Sequence, residues 1–88
     1  MKIAVEMDAL GFRLDETGGG CTAYVKDRED GGVWMITTTD GLTAPNNLMC
    51  RVLFGVHDAE GVELSCKEYP NLRQLINAFK LLNILKEV

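Results

Sequence analysis

Residues 69–88, YPNLRQLINAFKLLNILKEV, carry the one long helical pattern of the sequence. Pro70 suits the entry to a helix, and Asn71 followed by Gln74 is typical of an N-terminal cap. Apolar residues then recur at helical spacing on one side, at Leu72, Leu75, Ile76, Phe79 and Leu82. The rest of the chain has the pattern of short strands and turns, so this helix is predicted to cover one face of a sheet.

The last turns of this helix carry a second apolar side. Its four members point roughly opposite to the first side: Leu81, Ile84, Leu85 and Val88. A helix that is apolar all round is usually buried, which leaves three interpretations open: fold core, self-association or a frayed tail. We treat these four residues as candidate self-association residues of a homodimer.

Five strand-like segments precede the helix, at residues 12–16, 21–26, 33–39, 50–57 and 62–66. Short glycine- and aspartate-rich turns separate most of them, and strands joined in this way usually lie side by side. Residues 3–10 fit either a short helix ending at Gly11 or an extended segment. The prediction is a single α+β domain over residues 1–88, a five-stranded antiparallel meander with the C-terminal helix packed on one face.

Alternation along the strands predicts which side chains lie under the helix. That set is Phe12, Leu14, Val25, Phe54, Val56 and Leu64. The opposite face is expected to carry Tyr24, Leu53 and either Trp34 with Ile36 or Val33 with Met35.

The opposite face is therefore expected to carry more apolar side chains than a solvent-exposed sheet face usually does. One interpretation is that the N-terminal segment covers it through Ile3, Met7 and Leu10. The other is an exposed patch that binds a partner or a second copy.

The amino-acid composition disfavours some classes of function. A net charge of −4 is unlike that of domains that grip nucleic acid through its phosphates, but it suits a basic protein partner. No apolar run approaches the roughly 20 residues of a membrane span. Glu6 interrupts the N-terminal apolar run too early for a signal peptide, so we expect a cytoplasmic protein with no membrane contact.

The sequence has few residues in the arrangements that catalytic or metal sites require. Cys21, Cys50 and Cys66 are odd in number and lack the paired spacing of disulfide or zinc frameworks. We expect Cys21 and Cys66 in the core, and His57 in a solvated position at a strand end. Gly18–Gly20 is expected to form a flexible hairpin tip rather than a phosphate loop, because a strand follows it. The sequence thus predicts no catalytic residue, metal ligand or cofactor.

Acidic residues concentrate in two turns of the predicted meander. Its second and fourth turns share one end of the sheet, which would bring together Asp27, Glu29, Asp30, Asp58 and Glu60. We interpret these carboxylates as partner-binding residues that supply charge complementarity, with Tyr24 and Trp34 as anchors.

The chain also resembles small phage and prophage proteins over residues 9–66. The resemblance lies in Gly11-Phe12-Arg13-Leu14, in Thr17–Tyr24, in Ile36-Thr37 through Asp40-Gly41, and in Ala44-Pro45. It implies a mobile-element origin, and small acidic phage proteins include anti-CRISPR inhibitors, which occupy protein surfaces. The expectation is a non-enzymatic binding protein, an inhibitor of a host defence complex that itself binds nucleic acid. The alternative is a homo-oligomeric accessory protein.

Overall fold

The computed structural model describes the backbone of residues 3–87 and the side chains of residues 3–16 and 18–81. In chain order the elements are α1 (Ile3–Ala9), β1 (Arg13–Gly18), β2 (Cys21–Asp27), β3 (Val33–Thr38), β4 (Val52–His57), β5 (Glu63–Tyr69) and α2 (Leu72–Glu87). The strands form one antiparallel sheet in the order β1-β2-β3-β4-β5. The predicted α+β meander with a C-terminal helix and a short N-terminal helix is confirmed.

The start of α2 is fixed by its cap and by the loop before β4. The Asn71 side chain accepts a hydrogen bond from the Gln74 backbone N–H at 2.9 Å, as its position predicted. The backbone N–H groups of Leu72 and Arg73 donate to the carbonyl oxygens of Cys50 and Leu48 at 2.9 and 3.0 Å. The first-turn donors that a helix leaves unpaired are therefore satisfied, and α2 is tied to the 39–51 loop.

The core lies between α2 and one face of the sheet. The predicted stripe of Leu72, Leu75, Ile76 and Phe79 is buried. The Phe79 ring packs edge-on against the rings of Phe12, Trp34 and Phe54, with centroids 5.2, 5.6 and 6.4 Å apart. This aromatic group is the centre of the covered face, the name used below for the sheet face under the helices.

The strand register corrects the predicted face of several residues. Leu14 pairs with Tyr24, Tyr24 with Ile36, and Ile36 with Phe54, so these side chains share the covered face. Predictions that placed Tyr24 on the opposite face, and Val25 and Leu64 under the helix, were wrong. A bulge between Glu16 and Gly18 explains the error at Tyr24 and Val25, and a second one between Val56 and His57 explains the error at Leu64, since a one-residue shift in pairing exchanges the two faces of a strand.

Helix α1 packs on the same face as α2. It ends in a Schellman motif, in which the N–H of Phe12 donates to the Met7 carbonyl at 2.9 Å and Gly11 takes a φ of 89°. This reversal returns the chain directly onto the covered face, where Ile3 and Met7 join the core. The prediction that residues 3–10 cover the opposite face was therefore wrong. Within the described residues no helix covers that face, which we call the open face.

Candidate interaction surface

The open face is a grid of side chains whose centre is apolar. Its middle row runs across the sheet through Arg13, Val25, Met35, Gly55 and Cys66. The row nearest the acidic turns is Asp27, Val33, His57 and Glu63, and the row beyond the middle includes Thr37, Leu53 and Glu68. On this face Ala23, Val25 and Thr37 are buried, with exposures of 0, 4 and 7%, whereas Val33, Met35 and Leu53 are half-buried, although no described helix lies above them. Of the two pairs left open by the sequence, Val33 with Met35 is the one on this face.

A groove of about 210 Å³ lies at the centre of the open face. Met35, Leu53, His57 and Cys66 contribute to its lining, around Gly55. Gly55 has no side chain to fill this space, and a Cβ built there would lie 3.2 Å from Cε1 of the His57 ring. The groove therefore exists because a glycine interrupts the apolar pattern of a central strand.

His57 and Cys66 share this groove, which their sequence positions gave no reason to expect. The His57 side chain is only 20% exposed, so the predicted solvated position was wrong. Its Nε2 lies 3.9 Å from Oε1 of Glu63, and its Nδ1 is buried without a hydrogen-bond partner among the described residues. Cys66 is exposed rather than in the core, because β5 is an edge strand that neither helix covers at this position.

The acidic turns lie side by side at one end of the sheet. A Cβ built at Gly31 would stand 3.3 Å from the Cβ of Ala59, and one built at Gly32 would collide with the His57 carbonyl oxygen. The Arg28 side chain also donates to that carbonyl at 3.4 Å. The two turns are thus held in contact, and the five carboxylates form what we call the acidic end.

The carboxylates of the acidic end differ in what they already bind. Asp58 Oδ1 accepts the backbone N–H groups of Glu60 and Val62 at 3.0 and 2.9 Å. Asp30 accepts the Gly32 N–H and pairs with Arg28, both at 2.9 Å. These two aspartates hold their turns in shape.

The remaining three carboxylates of the acidic end are exposed. Asp27 faces Arg13 at 3.4 Å, whereas Glu29 and Glu60 form no ion pair with any described residue. Glu29 and Glu60 are therefore the carboxylates whose charge is open to a partner.

The proposed aromatic anchors lie on the covered face. Tyr24 is 7% exposed and belongs to the core, and Trp34 is half-buried against Phe79. Neither side chain points toward the open face, because the register places both beneath the helices. Sequence reasoning assigned the anchoring role to these two residues, although it also placed Leu53 on the opposite face and kept Val33 with Met35 as one of two alternatives there. The glycine at position 55, inside a strand pattern, was the available signal for the groove.

Of the candidate self-association residues, only Leu81 has a described side chain, and it is 60% exposed. The side chains of Leu82, Ile84 and Leu85, and the whole of Val88, lie outside the described residues. Self-association through this end of α2 stays a prediction.

Asp40 shapes the turn that borders the groove at Gly41. Its Oδ1 accepts the Thr38 hydroxyl at 2.6 Å and the Leu42 backbone N–H at 2.8 Å. These hydrogen bonds, the Thr38 hydroxyl first, lower the pKa of the Asp40 carboxyl below its ordinary value. The carboxylate therefore stays charged at neutral pH and holds this side of the groove.

Comparison with protein-family models, curated proteins and solved structures finds no match to this chain. The resemblance to small phage proteins therefore stays a prediction. Among the described residues, no cluster of three or more His, Cys, Asp and Glu side chains could hold a metal ion. Over the same part of the chain, neither helix has the length and apolar character of a bilayer crossing.

Proposed function

We propose that this chain is a non-enzymatic protein-binding module that uses the open face together with the acidic end. The observation that carries the proposal is that both helices pack on one face, so that no described helix lies over the groove and the half-buried Val33, Met35 and Leu53 on the other. A groove with a partly exposed apolar lining and polar groups beside it is typical of a binding site.

The surroundings of the groove indicate the chemistry of the partner. Glu63 borders the groove on β5, and the acidic end presents Glu29 and Glu60, whereas Glu68 and Asp27 already face Arg51 and Arg13 at 2.7 and 3.4 Å. An apolar centre with an acidic rim fits a protein surface that presents an apolar side chain ringed by lysines or arginines. Nucleic acid itself is disfavoured as a direct ligand by the net charge of −4.

Proteins that bind nucleic acid present such basic surfaces, so a nucleic-acid-binding complex is the partner class that we propose. Together with the resemblance to small phage proteins, this leads to the finer proposal of a phage-encoded inhibitor. It would occlude the surface of a host defence complex of the CRISPR-effector type and would act in the host cytoplasm.

The test is quantitative affinity capture from a host lysate with the immobilised protein and three variants. Leu53→Lys alters the groove, and the double variant Glu29→Lys with Glu60→Lys reverses the open charges of the acidic end. The matched control, Asp8→Lys with Glu16→Lys, makes the same change in net charge at exposed positions away from the groove and the acidic end.

We expect one set of basic proteins to be captured by the wild type and the control, with at least about tenfold loss for the other two variants. Equal capture by all four proteins would contradict the proposal. Circular dichroism checks that each variant is folded. If the captured proteins include no defence complex, only the finer proposal of a phage-encoded inhibitor is contradicted.

A second candidate function is a homo-oligomeric accessory protein, favoured by the 60% exposure of Leu81 on α2. Light scattering at increasing concentration, on the wild type and on Leu81→Glu, tests it. An oligomer that the substitution dissociates would support this candidate. A wild type that stays monomeric would remove it.

A further inference from the structure

On the outer edge of β1, backbone groups have no partner among the described residues, and the hydrogen bonds of β2 show which groups these are. The Thr22 N–H donates to the Leu42 carbonyl, on the side of β2 away from β1. Alternation along β2 then points the N–H groups of Ala23 and Val25 toward β1, where they face Asp15 and Arg13. In β1 it is consequently Leu14 and Glu16 whose N–H and C=O groups point outward from the sheet.

The side chains along this edge form a short self-complementary pattern. Leu14 is 62% exposed on the covered-face side, beside the 65% exposed Val5 of α1. A groove of about 420 Å³, lined in part by Val5 and Leu14, lies between them. Arg13 and Asp15 are about half exposed and project to the open-face side, where within one chain Arg13 lies 3.8 Å from Asp15 and 3.4 Å from Asp27. Along β1, this edge therefore presents the cation Arg13, the apolar side chain of Leu14 and the anion Asp15 in succession.

We infer that β1 pairs antiparallel with β1 of a second copy of this chain, about a twofold axis at Leu14. In this register Leu14 faces Leu14, and its outward N–H and C=O groups exchange hydrogen bonds with those of its counterpart. Arg13 of each copy faces Asp15 of the other, so two opposite-charge pairs form on one face of the joined sheet.

Charge selects this register over its neighbours. An axis at Asp15 would set Asp15 against Asp15, and an axis at Glu16 would set Glu16 against Glu16, both of which are unfavourable. The other free edge, β5, has a bulge in its pairing with β4 between Val56 and His57, which bends a strand and protects an edge from extension. The bulge in β1 lies beyond Glu16 and leaves Arg13–Asp15 regular.

The result is a ten-stranded sheet with both helix pairs on one side and the two open faces continuous on the other. The dimer goes beyond the proposed function and does not depend on it. Since only a short strand segment joins the copies, the association is weak and depends on concentration. A partner with two basic surfaces would gain from binding both open faces at once.

Charge exchange between copies tests the register. Sedimentation equilibrium is measured over micromolar to millimolar concentrations for the wild type, Arg13→Asp and Asp15→Arg, separately and as an equimolar mixture of the two variants. We expect the wild type to dimerise, each variant alone to dimerise at least about tenfold more weakly, and the mixture to recover wild-type association. Recovery follows because the mixed dimer again sets each aspartate opposite an arginine.

Two controls keep the result specific to this edge. Glu29→Lys changes charge away from β1 and should dimerise like the wild type. Leu14→Asp should abolish the dimer because it sets two carboxylates against each other on the axis, and thermal denaturation checks that the exposed substitution leaves the fold intact.

Three outcomes would overturn the inference. They are a wild type that is monomeric at millimolar concentration, a dimer unaffected by Arg13→Asp and Asp15→Arg, and a mixture that associates no better than its components. In the first case, amide protection of Leu14 and Glu16 only after addition of a partner protein would assign the edge to a strand of that partner.

Discussion

The two faces of the sheet both carry apolar side chains, but the described helices pack on only one of them. On the covered face, α1 and α2 bury Tyr24, Ile36 and Val52 to 7% exposure or less. On the open face, Met35 and Leu53 stay half-buried around a groove. In the proposed function this groove serves binding rather than stability. The predictions that follow test this division.

The largest effect is expected from the covered face. Phe79→Ala removes the ring that contacts three other aromatic side chains and should lower the free energy of unfolding by about 3–5 kcal/mol. Urea denaturation followed by circular dichroism measures it. Leu81→Ala, on the same helix but at a 60% exposed position, should change the free energy by about 0.5 kcal/mol or less. Similar losses of unfolding free energy for the two variants would contradict this difference between a buried and an exposed position.

Substitution on the open face should separate binding from stability. Leu53→Ser should lower the free energy of unfolding by about 1 kcal/mol or less, because the side chain is half-buried. The same change should weaken binding of the captured partner by about tenfold or more, since it removes an apolar contact at the groove. Isothermal titration calorimetry and urea denaturation give the two numbers. A stability loss as large as that of Phe79→Ala, with binding unchanged, would be the opposite of this expectation.

The thiol of Cys66 offers a way to fill the groove without changing the sequence. Exposed Cys66 should react with a bulky maleimide faster than the half-buried Cys21 and Cys50, and the adduct should block partner binding. Cys66→Ser, left untreated, should bind like the wild type, because the groove needs space rather than thiol chemistry. If Cys66→Ser alone abolished function, a chemical role for the thiol would replace the proposal.

The smallest effect concerns the Asp40 turn beside the groove. Because folding lowers the pKa of the Asp40 carboxyl, its stabilising contribution is complete above the ordinary aspartate value of about 3.9. It is lost only as the pH falls through the lower folded value. The Leu42 amide resonance, followed by NMR from pH 6 downward, should therefore titrate below the ordinary range. A midpoint at or above that range would contradict the hydrogen bonds described, and Asp40→Asn should show no titration of this kind.

Much of the architecture follows from local patterns in the sequence. The cap at Asn71, the apolar stripe of α2 and the glycine end of α1 at Gly11 each depend on a few neighbouring residues, and each prediction was confirmed, for the stripe as far as Phe79 because the side chain of Leu82 lies outside the described residues. The acidic end could also be located, because the ends of a meander follow from the order of its strands alone.

The faces of the strands could not be predicted in the same way. A bulge between Glu16 and Gly18 decides whether Tyr24 or Val25 lies under the helices, and nothing in the local alternation signals which. The groove likewise depends on the pairing of Gly55 with Cys66, which a second bulge, between Val56 and His57, shifts by one residue. For this reason the grouping of the acidic turns and the face of Leu53 could be predicted, whereas Tyr24 and Trp34, the predicted anchors, lie on the covered face.

The central claim is that one face is closed by the helices and the other is left for a partner. Its most direct test is the relaxation of methyl resonances by a soluble paramagnetic agent, in the free protein and with the captured partner bound. We expect the Met35 and Leu53 methyls to relax strongly when free and to become protected when bound, while the buried Leu75 and Ile76 methyls stay protected throughout. Met35 and Leu53 methyls as protected as those of Leu75 before binding, or unchanged after it, would contradict the account.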